Sequence, residues 1–297
     1  MREIAHQAVN FLRGIQPPSF GGLTLYNLMD IYITGILKGA LAYRASAISF
    51  SFFMAIFPSL LFVLNLIPYV PIENFQEEFQ SFLQSFMPHQ AAVFFDPIFE
   101  DMTNNRRGEL LSSVFILSIF LMANGINAIF GGFETSYHVE INRSMVKQYL
   151  VATGVALIIA FLLLITVAVL IYFEIYILRH FNLYGYIKDQ ESGVLIGKSV
   201  FLIMIIYLVI AILYYFGTTE GRQNRFFSPG ALLTTLLIII TTYLFGVYLE
   251  NFSNYNEIYG SIAALLILML YIWINSNILL LGFELNAAIN RIKKRKQ

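Results

Sequence analysis

The sequence predicts an all-α polytopic membrane protein with six transmembrane helices, an N-terminal interfacial helix and amphipathic helices in the first outer loop. Three observations carry that expectation. Six apolar stretches, Ala47–Tyr69, Leu110–Phe133, Leu150–Tyr172, Ser199–Phe216, Leu232–Glu250 and Ser261–Leu281, each approach the roughly 20 residues a helix needs to cross hydrocarbon. The chain is 58% hydrophobic and 12% charged, with a mean hydropathy of +0.71, whereas soluble domains carry about 25% charged residues. Basic residues also fall mainly on alternate sides of the stretches. Backbone groups in lipid have no water to bond, so the stretches are expected to be helices rather than open sheet.

Orientation follows from the basic residues. Arg2, Arg13, Lys38 and Arg44 precede the first stretch, Arg143 and Lys147 the third, and Arg222 and Arg225 the fifth. Arg291, Lys293, Lys294, Arg295 and Lys296 follow the sixth. The opposite side holds Arg106, Arg107, Arg179, Lys188 and Lys198. The excess places both termini in the cytoplasm. Residues 1–297 then form one membrane domain: a cytoplasmic arm (1–46), a six-helix bundle (47–284) with an outer loop (70–109), and a basic tail (285–297). Met1–Gly14 has neither the apolar core nor the cleavage site of a secretory signal, so the first stretch is expected to direct insertion.

Leu23–Ala42 is apolar, but Asp30 sits in its middle and Lys38 near its end. A charge at the bilayer centre costs at least about 2.5–3.5 kcal/mol. The segment therefore reads as an amphipathic helix along the cytoplasmic interface, either a packing collar or a gating element. In the first stretch Ala47, Ser51, Ala55 and Ser59 recur every four residues. In the second, Asn124, Ala128, Gly132 and Ser136 do the same. Small faces permit close backbone approach in lipid, so these two helices are expected to pack tightly, on each other or on a neighbour. Pro58 is the candidate hinge or fixed kink of the first. In the outer loop Phe75, Phe79, Phe82 and Phe86 align on one helical face opposite Glu73, Glu77 and Glu78. That face caps the bundle, lies on the outer leaflet or receives a partner.

The second and sixth stretches echo one another. Asn127 to Glu134 and Asn277 to Glu284 share the pattern of Asn, then Gly-Phe-Glu, seven residues apart. Seven residues make nearly two helical turns, so each Asn shares a face with its Glu. Both helices run inward, which puts Glu134 and Glu284 at one depth near the cytoplasmic boundary. An acidic residue there faces the bundle interior and finds a cation. Arg44 is nearest in depth, with Arg143 and Arg291 as alternatives. Asn275 adds to the polar interior, while threonines such as Thr234 can bond their own helix. The polar set either pins helices together or moves a proton, ion or headgroup.

Other chemistries are poorly served. There are no cysteines, which removes disulfides and Cys–metal sites. The histidines, His6, His89, His138 and His180, fall in separate segments without metal-ligand spacing. Gly131-Gly132 lacks the lysine of a phosphate loop. The net charge of +0 offers no basic stripe to nucleic acid. No enzyme, cofactor or metal is expected.

The order of motifs resembles the YihY/BrkB family of bacterial inner-membrane proteins, once mislabelled ribonuclease BN. The matching stretches begin with Ala47–Pro58, Asn124–Glu134, Arg143 and Ser228-Pro-Gly230. They continue with Tyr259-Gly-Ser261 and Leu281-Gly-Phe-Glu284-Leu-Asn286. The resemblance implies a six-helix fold in the bacterial inner membrane and supplies no agreed activity or catalytic residue. Two functions are then in view. One is a translocator of an ion, small solute or lipid; the other is a structural or assembly partner of an envelope complex acting through the outer loop. Membrane lipids are the expected surroundings, with an envelope protein or a second copy as partner.

Overall fold

The computed structural model describes residues 24–38, 40–66, 81, 111–136, 143–172, 191–218, 226–251 and 262–294. Seven helices lie within them: α1 (Leu25–Lys38), α2 (Leu41–Leu66), α3 (Leu111–Glu134), α4 (Met145–Tyr172), α5 (Glu191–Gly217), α6 (Pro229–Asn251) and α7 (Ile262–Lys294). No strand occurs among the described residues. The phenylalanine face of the outer loop and Tyr259-Gly-Ser261 lie outside them, as do all four histidines.

Every apolar stretch is helical over its described residues, and the helices overrun the stretches. α2 begins at Leu41, α4 at Met145 and α5 at Glu191, and α7 continues to Lys294. Hydropathy marks where a chain is apolar, whereas a hydrogen-bonded helix runs on through the polar interface until something stops it. Most of the expected basic tail is therefore the final turns of α7. Five helices are long and apolar enough to cross a membrane: their spans are Ile116–Glu134, Met145–Tyr172, Gly197–Gly217, Pro229–Leu249 and Leu265–Arg291. The sixth apolar element is shorter, Leu41–Ile56, at the start of the 26-residue α2.

The six long helices form a closed ring in chain order. Each packs on its sequence neighbour, and α7 closes the ring against α2. The α2–α3 pair is the most extensive contact. Its seam runs through glycine: a Cβ on Gly125 would lie 2.8 Å from the Ala55 Cβ, and one on Gly132 would lie 2.6 Å from the Ile48 side chain. Tight packing of the first two apolar helices is thus observed, with Gly125 taking the place expected for Asn124. α2 continues unbroken through Pro58, which is buried; the Ser59 hydroxyl beside it donates to the Ala55 carbonyl at 2.6 Å. α1 lies outside the ring against α7. Its Asp30 points outward, exposed.

Candidate functional site

Buried polar side chains gather at one end of the ring, where α3 and α5 finish and α2, α4 and α6 begin. Arg44, Glu134, Ser136, Arg143, Gln148, Thr218, Ser228, Thr234, Glu284 and Asn286 are all buried there, with Ser49 and Thr235 close by, while Ser118, Thr166 and Ser276 are buried further along the helices.

The centre is Glu284, whose exposure is 0%. Arg44, in the first turn of α2, donates through Nη2 to Glu284 Oε1 at 2.6 Å and through Nη1 to the Gly132 carbonyl at 2.9 Å. Ser136, just beyond α3, donates to the other carboxylate oxygen at 2.9 Å. Both oxygens of Glu284 are thus satisfied, whereas the buried Arg44 Nε has no partner among the described residues, so the bonds offset only part of the pair's desolvation. Tyr32 of α1 feels this carboxylate; burial raises its hydroxyl pKa and the Glu284 charge adds to the effect, so the phenol stays protonated.

Glu134 sits beside this pair. Gln148 of α4, in the amide orientation that satisfies both neighbours, donates to Glu134 Oε2 at 2.9 Å and accepts from the Gly131 N–H at 3.3 Å. Arg143 is the cation facing Glu134. Its Nη1 also donates to the Phe216 carbonyl at 2.7 Å. Two arginines and two glutamates make the network neutral. The arginines also meet the carbonyls that end α3 and α5, where the helix dipoles concentrate negative charge.

Directly inward the network rests on aromatic rings. Phe133 and Phe283, each preceding its glutamate, stack with centroids 4.2 Å apart and planes 7° apart. Tyr214 of α5 meets both edge-on, at 5.5 Å and 6.0 Å. Its hydroxyl donates to the Leu279 carbonyl at 2.7 Å and shares a hydrogen bond with Thr234. Beside them α6 and α7 touch backbone to backbone. A Cβ on Gly282 would overlap the Thr234 hydroxyl, and one on Gly230 would overlap the Gly282 carbonyl. Ser228 caps α6 by accepting from the Ala231 N–H at 3.2 Å, with Pro229 in the first turn. Asn286 accepts from the Gly230 N–H and donates to Ser228, both at 2.8 Å. Ser228-Pro-Gly230 and Gly282–Asn286 are therefore two halves of one joint.

The two glutamates and Arg44 come together as expected, with Arg44 rather than Arg143 or Arg291 on Glu284. The asparagines do not join them. Asn275 and Asn277 donate to carbonyls one turn back in their own helix, Tyr271 and Trp273, at 2.8 Å. Asn124 is exposed and Asn127 half-buried, away from the carboxylate network. Sharing a helical face with a glutamate did not bring either asparagine to it. Gln148 and Tyr214 complete the site without having been named, and Ser136 and Thr234, named for other reasons, join it through hydrogen bonds that were not expected. Ser228-Pro-Gly230 and the stretch ending in Asn286 had entered only through the family resemblance.

Comparisons with known proteins group the chain with membrane proteins. The family described as Virulence factor BrkB matches residues 33–297. The "Putative ribonuclease-like protein YfkH" of Bacillus subtilis is 28% identical over 263 residues, 84% of this chain and 90% of that protein. A "UPF0761 membrane protein" of Xanthomonas oryzae is 37% identical over 83 residues, and one of Xanthomonas campestris 34% identical over 87 residues. Those alignments cover 28% and 29% of this chain and 20% of each Xanthomonas protein, so the chain spans about a fifth of their length. No solved structure matches. The chain belongs to the Virulence factor BrkB family of membrane proteins.

Proposed function

We propose that this protein is a translocator of an ion, small solute or lipid in the bacterial inner membrane, crossing it six times with both termini in the cytoplasm. In this reading the polar end is the cytoplasmic closure of the ring. One observation carries it: at that end the ring holds a buried network of two arginines and two glutamates, while α5 stands loosely against its neighbours along the rest of its length. No described residue from Gly197 to Val209 is buried, and Ile210–Tyr214 all are. A passage through the bundle would have to separate the Phe133–Phe283–Tyr214 layer and then re-pair Arg44 and Glu284. Two carboxylates within reach of two arginines allow that exchange without leaving a charge unpaired in hydrocarbon. Ribonuclease chemistry, suggested by the name of the Bacillus relative, is not proposed, because the histidines are scattered along the sequence and no basic stripe would hold RNA.

The test is transport in proteoliposomes, following protons, sodium and fluorescent phospholipid for the native chain, Glu134→Gln and Glu284→Gln. At least one cargo is expected to move, and each substitution is expected to slow it at least tenfold in correctly inserted protein. Equal movement of all three cargoes in all samples would remove the reading. A crosslink from Phe79 or Phe86 to a discrete envelope protein would then point to the assembly role.

A further inference from the structure

Asn124 and Asn127 stand in the wrong place for a monomer. They lie three residues apart in α3, and Asn124 is about 15 Å along the helix axis from Glu134, deep in the span. Gly125 and Gly132 face α2; one residue is 100° of helix, so Asn124 turns away from that seam. Its flank also presents Leu117 and Phe120, 55% and 56% exposed. Gly131 is on the same flank, and a Cβ there would meet nothing within 4 Å. Neither asparagine side chain hydrogen-bonds to any described residue. Acyl chains offer no donor or acceptor, so exposed amides at this depth are costly unless another protein surface satisfies them.

We infer that this flank of α3 is the interface with a second copy of the chain, in the same membrane orientation. Two properties select a copy rather than a different protein. An asparagine amide is both donor and acceptor, so a two-fold axis beside Asn124 lets the pair bond reciprocally. Ala128 and Gly131 keep the surface low enough for the helices to approach until the amides meet. The outward face of α6 provides the contrast: Leu232, Leu236, Ile240 and Leu244 are exposed, and the exposed phenol of Tyr243 lies towards the end of the helix rather than mid-span.

The chain has no native cysteine, so one introduced thiol per chain reports on self-contact. Leu117→Cys is oxidised with copper phenanthroline in native membranes, and Leu244→Cys, on α6, serves as the reference. Covalent dimer from Leu117→Cys should exceed that from Leu244→Cys at least tenfold. Adding Asn124→Leu and Asn127→Leu should cut it at least tenfold with insertion and thermal unfolding unchanged. Should that variant insert poorly, Gly131→Leu adds a side chain where no described residue lies within 4 Å of the new Cβ and should abolish the dimer on its own. Equal yield from the two positions, yield insensitive to both the amides and Gly131→Leu, or single-step photobleaching in nanodiscs drawn from native membranes would overturn the inference.

Discussion

Along α5 the five residues Ile210–Tyr214 are all buried, whereas none of the described residues from Gly197 to Val209 is. The same helix therefore lives in two environments. Towards its C-terminus it is held by the Arg143 guanidinium, by Tyr214 wedged against Phe133 and Phe283, and by Gly217 under the Phe133 ring. Towards its N-terminus apolar side chains such as Val200 and Met204 face outward, 59% and 55% exposed. In lipid no hydrophobic drive gathers helices, so close packing and hydrogen bonds must do it. The difference teaches where this bundle is specified: at the end where those two kinds of contact coincide.

The largest test of that contrast is removal of one member of the central pair. Arg44→Ala strands a buried carboxylate and should destabilise the protein by about 3–5 kcal/mol, read as detergent-resistant unfolding and loss of accumulation. Replacing both partners, Arg44→Met with Glu284→Leu, should recover most of that loss, because the cost lies in the orphaned charge. A double variant as damaged as the single one would show that the polar end depends on the pair itself. Next in size is a methyl group at the α6–α7 joint. Gly282→Ala drives a Cβ into the Thr234 hydroxyl and should cost about 1–3 kcal/mol. Gly246→Ala, in the far half of α6 with nothing within 4 Å, should be neutral or slightly stabilising by the same assay. Equal effects would dissolve the distinction between the ends.

Hydrogen exchange sharpens the comparison within one element. Amides at Ile210–Tyr214 should exchange at least tenfold more slowly than those at Ser199–Ile203, since local opening follows packing density. The smallest expected effect is at Tyr214. Tyr214→Phe keeps the ring layer and loses the bonds to Thr234 and the Leu279 carbonyl, with a cost of about 0.6 kcal/mol for a typical buried bond between membrane helices. A loss several times larger would mean the hydroxyl, not the ring stack, holds α5 to α7.

Much of the polar end was legible because depth is legible. Hydropathy fixes how far along its helix a residue lies, and positive-inside counting fixes helix direction, so Arg44, Glu134 and Glu284 could be placed at one level. Rotation was not legible in the same way. A glutamate near a helix end must be paired, which dictates its facing; an asparagine can bond its own preceding turn, as Asn277 does, or wait for an external partner. Asn124 consequently looked like part of an inward stripe when Gly125 held that position. Thr234 was underestimated for the opposite reason: Thr235 does bond its own helix, to the Ala231 carbonyl, whereas its neighbour spans to Tyr214. Gln148 had no sequence signal at all, since its role exists only because α4 starts beside the end of α3.

The length of α7 has a mechanical consequence. Its 33 residues make a rod of about 50 Å, well beyond the roughly 30 Å of hydrocarbon it would traverse. Where it crosses Gly230 it lies backbone against backbone and is pinned by Asn286 to the start of α6. A load on its final basic turn would therefore meet that joint about 18 Å back along the rod.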